Sequence, residues 1–140
     1  MNKQTLAQTL TYAGLLPFLG AAIIPAIVPD LLGLDYDRII LTYGAVIASF
    51  IAGIHWGVYL FKNTHINLFI HSNIAALLAW FAVITALPGS EAVLIGCFLY
   101  LLFIDKQLKN ANIIEPWYLR MRIIATTAVV IILSFTLLYP

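Results

Sequence analysis

Charge is what this chain has least of. Only 9% of its 140 residues are charged, where a soluble domain carries about 25%. A single cysteine, Cys97, excludes a disulfide framework and a cysteine metal cluster. There is no phosphate-cradling glycine motif, no nucleophile elbow and no HExxH. There is no basic face for nucleic acid and no stretch alternating with period two, which excludes a transmembrane barrel. The short polar start, Met1 to Gln8, lacks the plan of a signal peptide, so the first apolar stretch is expected to be retained.

What is present is apolar surface, 63% of the residues. So short a chain cannot hide that much inside a soluble core, and the solvent must be a bilayer. A spanning helix needs roughly 20 mostly apolar residues. Five stretches, at about 6–28, 39–61, 66–87, 90–108 and 120–139, predict an all-α polytopic membrane protein, one transmembrane domain over 1–140. Pro17 and Pro25 predict a kink in the first. An acidic connection, Asp30 to Arg38, precedes the second, and Pro88-Gly89 ends the third. If the N-terminus is inside, Lys3, Lys62, Lys106, Lys109, Arg120 and Arg122 lie inside and Arg38 alone outside, six against one. That bias predicts an N-terminus inside and a C-terminus outside.

Helical rise turns position into depth. From the outer boundary, His55 falls roughly 24 Å down, His71 and Asp105 roughly 22 Å, and Tyr12 near 25 Å. Arg122 starts the fifth span about one turn from the inner boundary. Two arrangements fit this shared slab. One is a buried polar cluster, because lone charges in lipid face the bundle interior and pair; Asp105 with Arg122 or with His55 is such a pairing. The other is an interfacial collar of snorkelling and belt residues. In the second span Gly44, Ala48 and Ala52 form one small-residue row and Ala45, Ser49, Gly53 and Gly57 another, the pattern of closely packed helices. His55 lies near the Ala48–Ala52 row in angle and is expected to face protein, with Trp56 turned to a groove or to lipid.

The inner loop ends in Glu115-Pro-Trp-Tyr-Leu-Arg-Met-Arg122. Pro116 suits the first position of a helix, which would carry Trp117, Tyr118, Arg120 and Arg122 on its opening turns. Two arginines beside two aromatics suit an anionic head group, and equally an ordinary aromatic belt with positive-inside arginines. His55 and His71 are the one pair able to hold a haem, but no histidine pair at helical spacing supports it, and no cofactor or metal is assigned. The outer halves of the spans are nearly free of ionisable residues, which argues against a proton channel.

Leu15-Leu-Pro-Phe18 is one of several motifs here, with Tyr43-Gly-Ala-Val-Ile, Gly53-Ile-His-Trp-Gly57, Asp105 closing the fourth span, and Pro116-Trp-Tyr with Arg120 and Arg122. In that order and spacing they resemble the domain-of-unknown-function family 3429, whose animal relatives are called transmembrane protein 69, over nearly the whole chain. The resemblance implies a small multi-pass protein of the bacterial inner membrane, with no defined activity. It marks Tyr43, His55, Trp56, Gly57, Asp105, Trp117, Tyr118 and Arg120. The translocator-protein family shares five spans and similar length, but this chain has only three tryptophans and lacks its recurrent Trp-Pro pattern.

The expectation is therefore an inner-membrane protein for which nothing in the residues argues for catalysis. It binds, or carries, an amphipathic anionic or lipid-like small molecule in a polar pocket of the cytoplasmic half. Tyr12, His55, Trp56, His71, Asp105, Trp117, Tyr118, Arg120 and Arg122 are the candidate ligand-binding residues, with none catalytic. The alternative is a structural or assembly subunit docking on a larger membrane complex.

Overall fold

The computed structural model describes residues 2–28 and 31–139. Met1, Pro29, Asp30 and Pro140 lie outside them, so the first residue of the acidic connection and both ends of the 1–140 domain are not described. Among the described residues there are six α-helices and no strand. They are α1 (Lys3–Ala13), α2 (Leu16–Ile27), α3 (Tyr36–Phe61), α4 (Leu68–Thr85), α5 (Ser90–Asn110) and α6 (Pro116–Leu138).

The first apolar stretch is two helices, broken at Gly14–Leu15. Pro17 explains the position. It lacks an N–H for the Ala13 carbonyl and its ring crowds that carbonyl, so the helix gives way one turn back. The Tyr43 hydroxyl of α3 donates to the Gly14 carbonyl at 2.9 Å, satisfying a backbone group that the break sets free. Pro25, also expected to disturb this stretch, sits inside α2, which runs on through it.

Turn chemistry sets the other ends. The Asp35 carboxylate accepts from the Arg38 N–H at 2.9 Å and opens α3, while the Asn67 side chain does the same for Ile70 in α4. Ala86 and Gly89, both at positive φ, frame the turn from α4 to α5 around Pro88. Asn112 adopts the left-handed conformation after α5, and Ile113 N–H donates back to the Leu108 carbonyl. Pro116 then starts α6 four residues earlier than the apolar pattern suggested, placing Trp117 and Tyr118 on its first turn.

α5 is the middle of the bundle, packed against α3, α4 and α6, and α2 lies on α3 and α6. The α3–α4–α5 side is filled with small residues against leucines: Ala48, Ala75, Ala79, Leu94 and Leu101 are all fully buried. The Gly44 row explains part of that closeness. A Cβ on Gly44 would stand 2.7 Å from Leu94 Cδ1. The second row behaves differently: Ala45 is buried, but Ser49 and Gly53 are exposed, and a Cβ on Gly53 or Gly57 would meet nothing within 4 Å.

The outside is apolar too. Phe50, Leu77, Trp80, Phe81 and Ile131 are exposed, a surface that would drive aggregation in water and that lipid tails cover in a membrane. Four segments are long and apolar enough to cross: Lys3–Ile27, Tyr36–Phe61, Leu68–Thr85 and Pro116–Leu138. α5, the expected fourth of five spans, has 21 residues but is not among them. Glu91, Asp105, Lys106 and Lys109 interrupt its composition.

Candidate functional site

Three of the residues expected at one depth meet in the centre of the bundle. His55 on α3 shares the buried face of Ala48 and Ala52. Asp105 lies on the α5 face of Phe98 and Leu101, and Arg122 one turn and a half into α6. Their relative exposures are 1%, 0% and 5%, so these three form a buried cluster and not a collar. His55 Nε2–H donates to Asp105 Oδ1 at 2.8 Å, and Arg122 Nε–H donates to Asp105 Oδ2 at 2.8 Å. Each carboxylate oxygen thus has one donor. In an apolar bundle the Asp105–Arg122 pair is what lets either charge be present.

The carboxylate fixes the imidazole as well. With Nε2–H given to Asp105, Nδ1 is left with no hydrogen-bond partner among the described residues.

α6 carries a polar stripe that the sequence reading found only in part. Tyr118, Arg122 and Thr126 follow one another at four-residue spacing and so share a face. The Tyr118 hydroxyl, Arg122 Nη2 and the Thr126 hydroxyl are all buried, and none has a hydrogen-bond partner among the described residues. Thr126 was not expected here. Its only sequence signal is the spacing from Arg122, and a lone threonine in a span attracts no notice, because its hydroxyl commonly bonds its own helix.

These three side chains line a cavity of about 410 Å³ between the α1–α2 break, α3 and α6. The rest of its wall is almost wholly apolar, with Leu10, Phe18, Ile47, Phe50, Ile51 and Phe98 prominent. α1 covers one side of the cavity with Ala7, Leu10 and Thr11 and buries none of its residues. A smaller cavity of about 200 Å³ lies on the loop side, lined by His55, Asp105, Glu115, Trp117 and Tyr118. Tyr118 and Ile54 border both, so the His55–Asp105–Arg122 chain stands between the two.

The other candidates are elsewhere. Tyr12 is exposed on α1 and lines neither cavity. Trp56 is 41% exposed and packs on Phe69, ring centroids 4.5 Å apart. Arg120 is exposed. His71 is half-buried and its Nδ1 pairs with the Tyr100 hydroxyl, a partner one turn before Ile104 on α5 that depth counting passed over. Ser72 and Asn73 bond back to carbonyls of their own helix. The two histidines expected as a possible haem pair therefore serve separate partners. Among the described residues no three His, Cys, Asp or Glu side chains are placed to share a metal ion.

No curated protein and no solved structure matches the chain. A family model does, described as "Protein of unknown function (DUF3429)", and the match runs over residues 3–138. Its extent covers every helix of the bundle and all of the residues around both cavities, so the chain belongs to the DUF3429 family.

Proposed function

We propose that this membrane protein binds an amphipathic, lipid-like small molecule in the cavity beneath α1. The observation that carries the reading is the α6 stripe: three buried polar groups without partners, in the wall of an otherwise apolar cavity. A buried polar group left unpaired costs about 1–3 kcal/mol, so a bound head group that satisfies all three is worth several times that to the folded state. The apolar wall would take the tail. Leu10 and Phe50 at the rim are both exposed, giving a way in from the lipid between α1 and α3.

Residue roles follow from position. Tyr118, Arg122 and Thr126 contact the head; His55 and Asp105 hold Arg122 and border the loop-side cavity. Trp117 walls that second cavity. Tyr12, Trp56, His71 and Arg120 take no part. The setting is a multi-pass bundle of five spans in the inner membrane, N-terminus inside. The six-to-one lysine and arginine bias supports that direction, and the central packing of α5 supports its crossing with the others.

Native mass spectrometry of the full chain released from mild detergent tests the binding. The expected result is a retained small-molecule adduct on the natural protein that is absent from Ala7→Trp. Ala7 lines the cavity from α1, which buries nothing, so tryptophan there fills the space without entering the core. The same adduct on both proteins, or on neither, would sink the reading.

A second reading has one observation of its own. Ser49 and Gly53 leave an exposed small-residue strip on α3, which suits close approach of a helix from another protein. Gly53→Leu would then abolish co-purification of a membrane partner; with no partner captured by the natural protein, this reading fails.

A further inference from the structure

The charge balance of the site narrows what the head group is. Among the described residues Arg122 is the only charged one in the wall of the larger cavity, and its charge is already spent. Nε faces Asp105 Oδ2 at 2.8 Å, and both groups are buried, with side-chain exposures of 6% and 1%. His55 completes the carboxylate at Oδ1. The Asp105–Arg122 ion pair therefore sums to zero. Among the described residues no second cation lines either cavity, and Glu115, in the wall of the smaller one, adds negative charge on the far side of Tyr118.

An anion bound here would bring an unbalanced charge into an apolar, lipid-facing site, the situation that keeps lone ions out of bilayer interiors. What the cavity does offer is hydrogen bonds. Arg122 Nη2 can only donate, and the hydroxyls of Tyr118 and Thr126 are free to donate beside it. An acceptor without charge satisfies them; a carboxylate or phosphate overshoots. We infer that the head group recognised by Tyr118, Arg122 and Thr126 is an uncharged carbonyl, as in an acyl ester, and not an anionic head. This rests on the cavity being an amphiphile site, and it corrects the anionic head group expected from the arginine-rich inner loop. That expectation drew the charge of the site from Arg120 and Arg122, where Arg122 is paired with Asp105 and Arg120 is exposed.

Equilibrium dialysis of radiolabelled methyl laurate, laurate and dodecane against the detergent-solubilised full chain, with empty micelles subtracted, tests it. The chains are matched and only the head differs. Methyl laurate should bind at least about tenfold more tightly than laurate and more tightly than dodecane. Asp105→Asn, which frees the charge of Arg122, should turn the preference toward laurate. Should that variant not fold, Thr126→Val serves instead, weakening methyl laurate about two- to tenfold with dodecane unmoved. Laurate binding the natural protein as tightly as methyl laurate, or all three binding alike, overturns the inference and leaves the amphiphile site standing. Binding of none above the micelle blank removes both.

Discussion

The two sides of α3 are built on opposite plans. Toward α4 and α5 it is packed shut: Gly44, Ala48 and Ala52 meet Leu94, Ala75 and their neighbours with almost no exposure. Toward α1 and α6 it leaves a cavity of about 410 Å³ edged by unpartnered polar groups. The first side reads as scaffold, where small residues bring backbones together and van der Waals contact holds them. The second reads as a place for something else. A rigid half and an unfilled half on one helix is what a binding protein needs, since the scaffold fixes the groups that the cavity presents.

The sharpest break in that contrast is at Asp105, which joins the halves. Asp105→Leu leaves Arg122 charged and unpaired in the interior and strips His55 of the carboxylate it donates to. Losing one member of a buried pair costs about 3–5 kcal/mol. Thermal unfolding in detergent should show a large loss of stability, while Asp105→Leu combined with Arg122→Met should recover much of it. Next comes the scaffold side alone. Gly44→Val drives a side chain into Leu94, which has no exposed surface to move toward, and overpacking of this kind costs about 1–3 kcal/mol. The same assay reads it, and ligand binding should fall only as far as the folded fraction does.

Smaller effects separate the halves further. Tyr43→Phe removes the hydroxyl that holds the Gly14 carbonyl at the α1–α2 break and keeps the ring that packs edge-on against Phe18. The expected loss is about 0.5–1.5 kcal/mol. Because Gly14 lines the cavity, adduct retention in native mass spectra should drop more than the thermal midpoint does. Gly53→Ala is the smallest. With nothing within 4 Å of the new methyl, the change should be neutral or slightly stabilising, by up to about 1 kcal/mol from helix propensity. A loss as large as that for Gly44→Val would mean the exposed row is packed against a partner.

Much of this arrangement was legible in the residues, and the misses have a common cause. Spacing and rise give depth, and depth alone brought His55, Asp105 and Arg122 to one level. It brought Tyr12 and His71 there as well, because depth says nothing about the angle around the helix. For α3 the small-residue row supplied that angle, and His55 proved to lie on its buried face. α1 has no such row, and on α4 the polar residues His71, Ser72 and Asn73 are consecutive and so point three different ways, which leaves Tyr12 free to point outward and His71 to turn to Tyr100. On α6 the four-residue spacing of Tyr118, Arg122 and Thr126 was there to read, but threonine is cheap in a helix and raised no question. The cavity itself left no mark in the pattern. It is bordered by the Gly14–Leu15 break and covered on one side by α1, which are properties of the assembled bundle.

The central claim is that Arg122, and not Arg120, meets a ligand in the interior. The chain has three arginines, Arg38, Arg120 and Arg122, so its side chains can be followed one by one in a nuclear magnetic resonance spectrum of protein labelled with ¹⁵N-arginine. Methyl laurate and laurate would be titrated separately into the micellar protein. The account predicts that the Arg122 guanidinium signals shift and saturate with the ligand that binds, while Arg38 and Arg120 stay in place. Shifts at Arg120 with Arg122 unmoved, or no movement at any of the three, would contradict it.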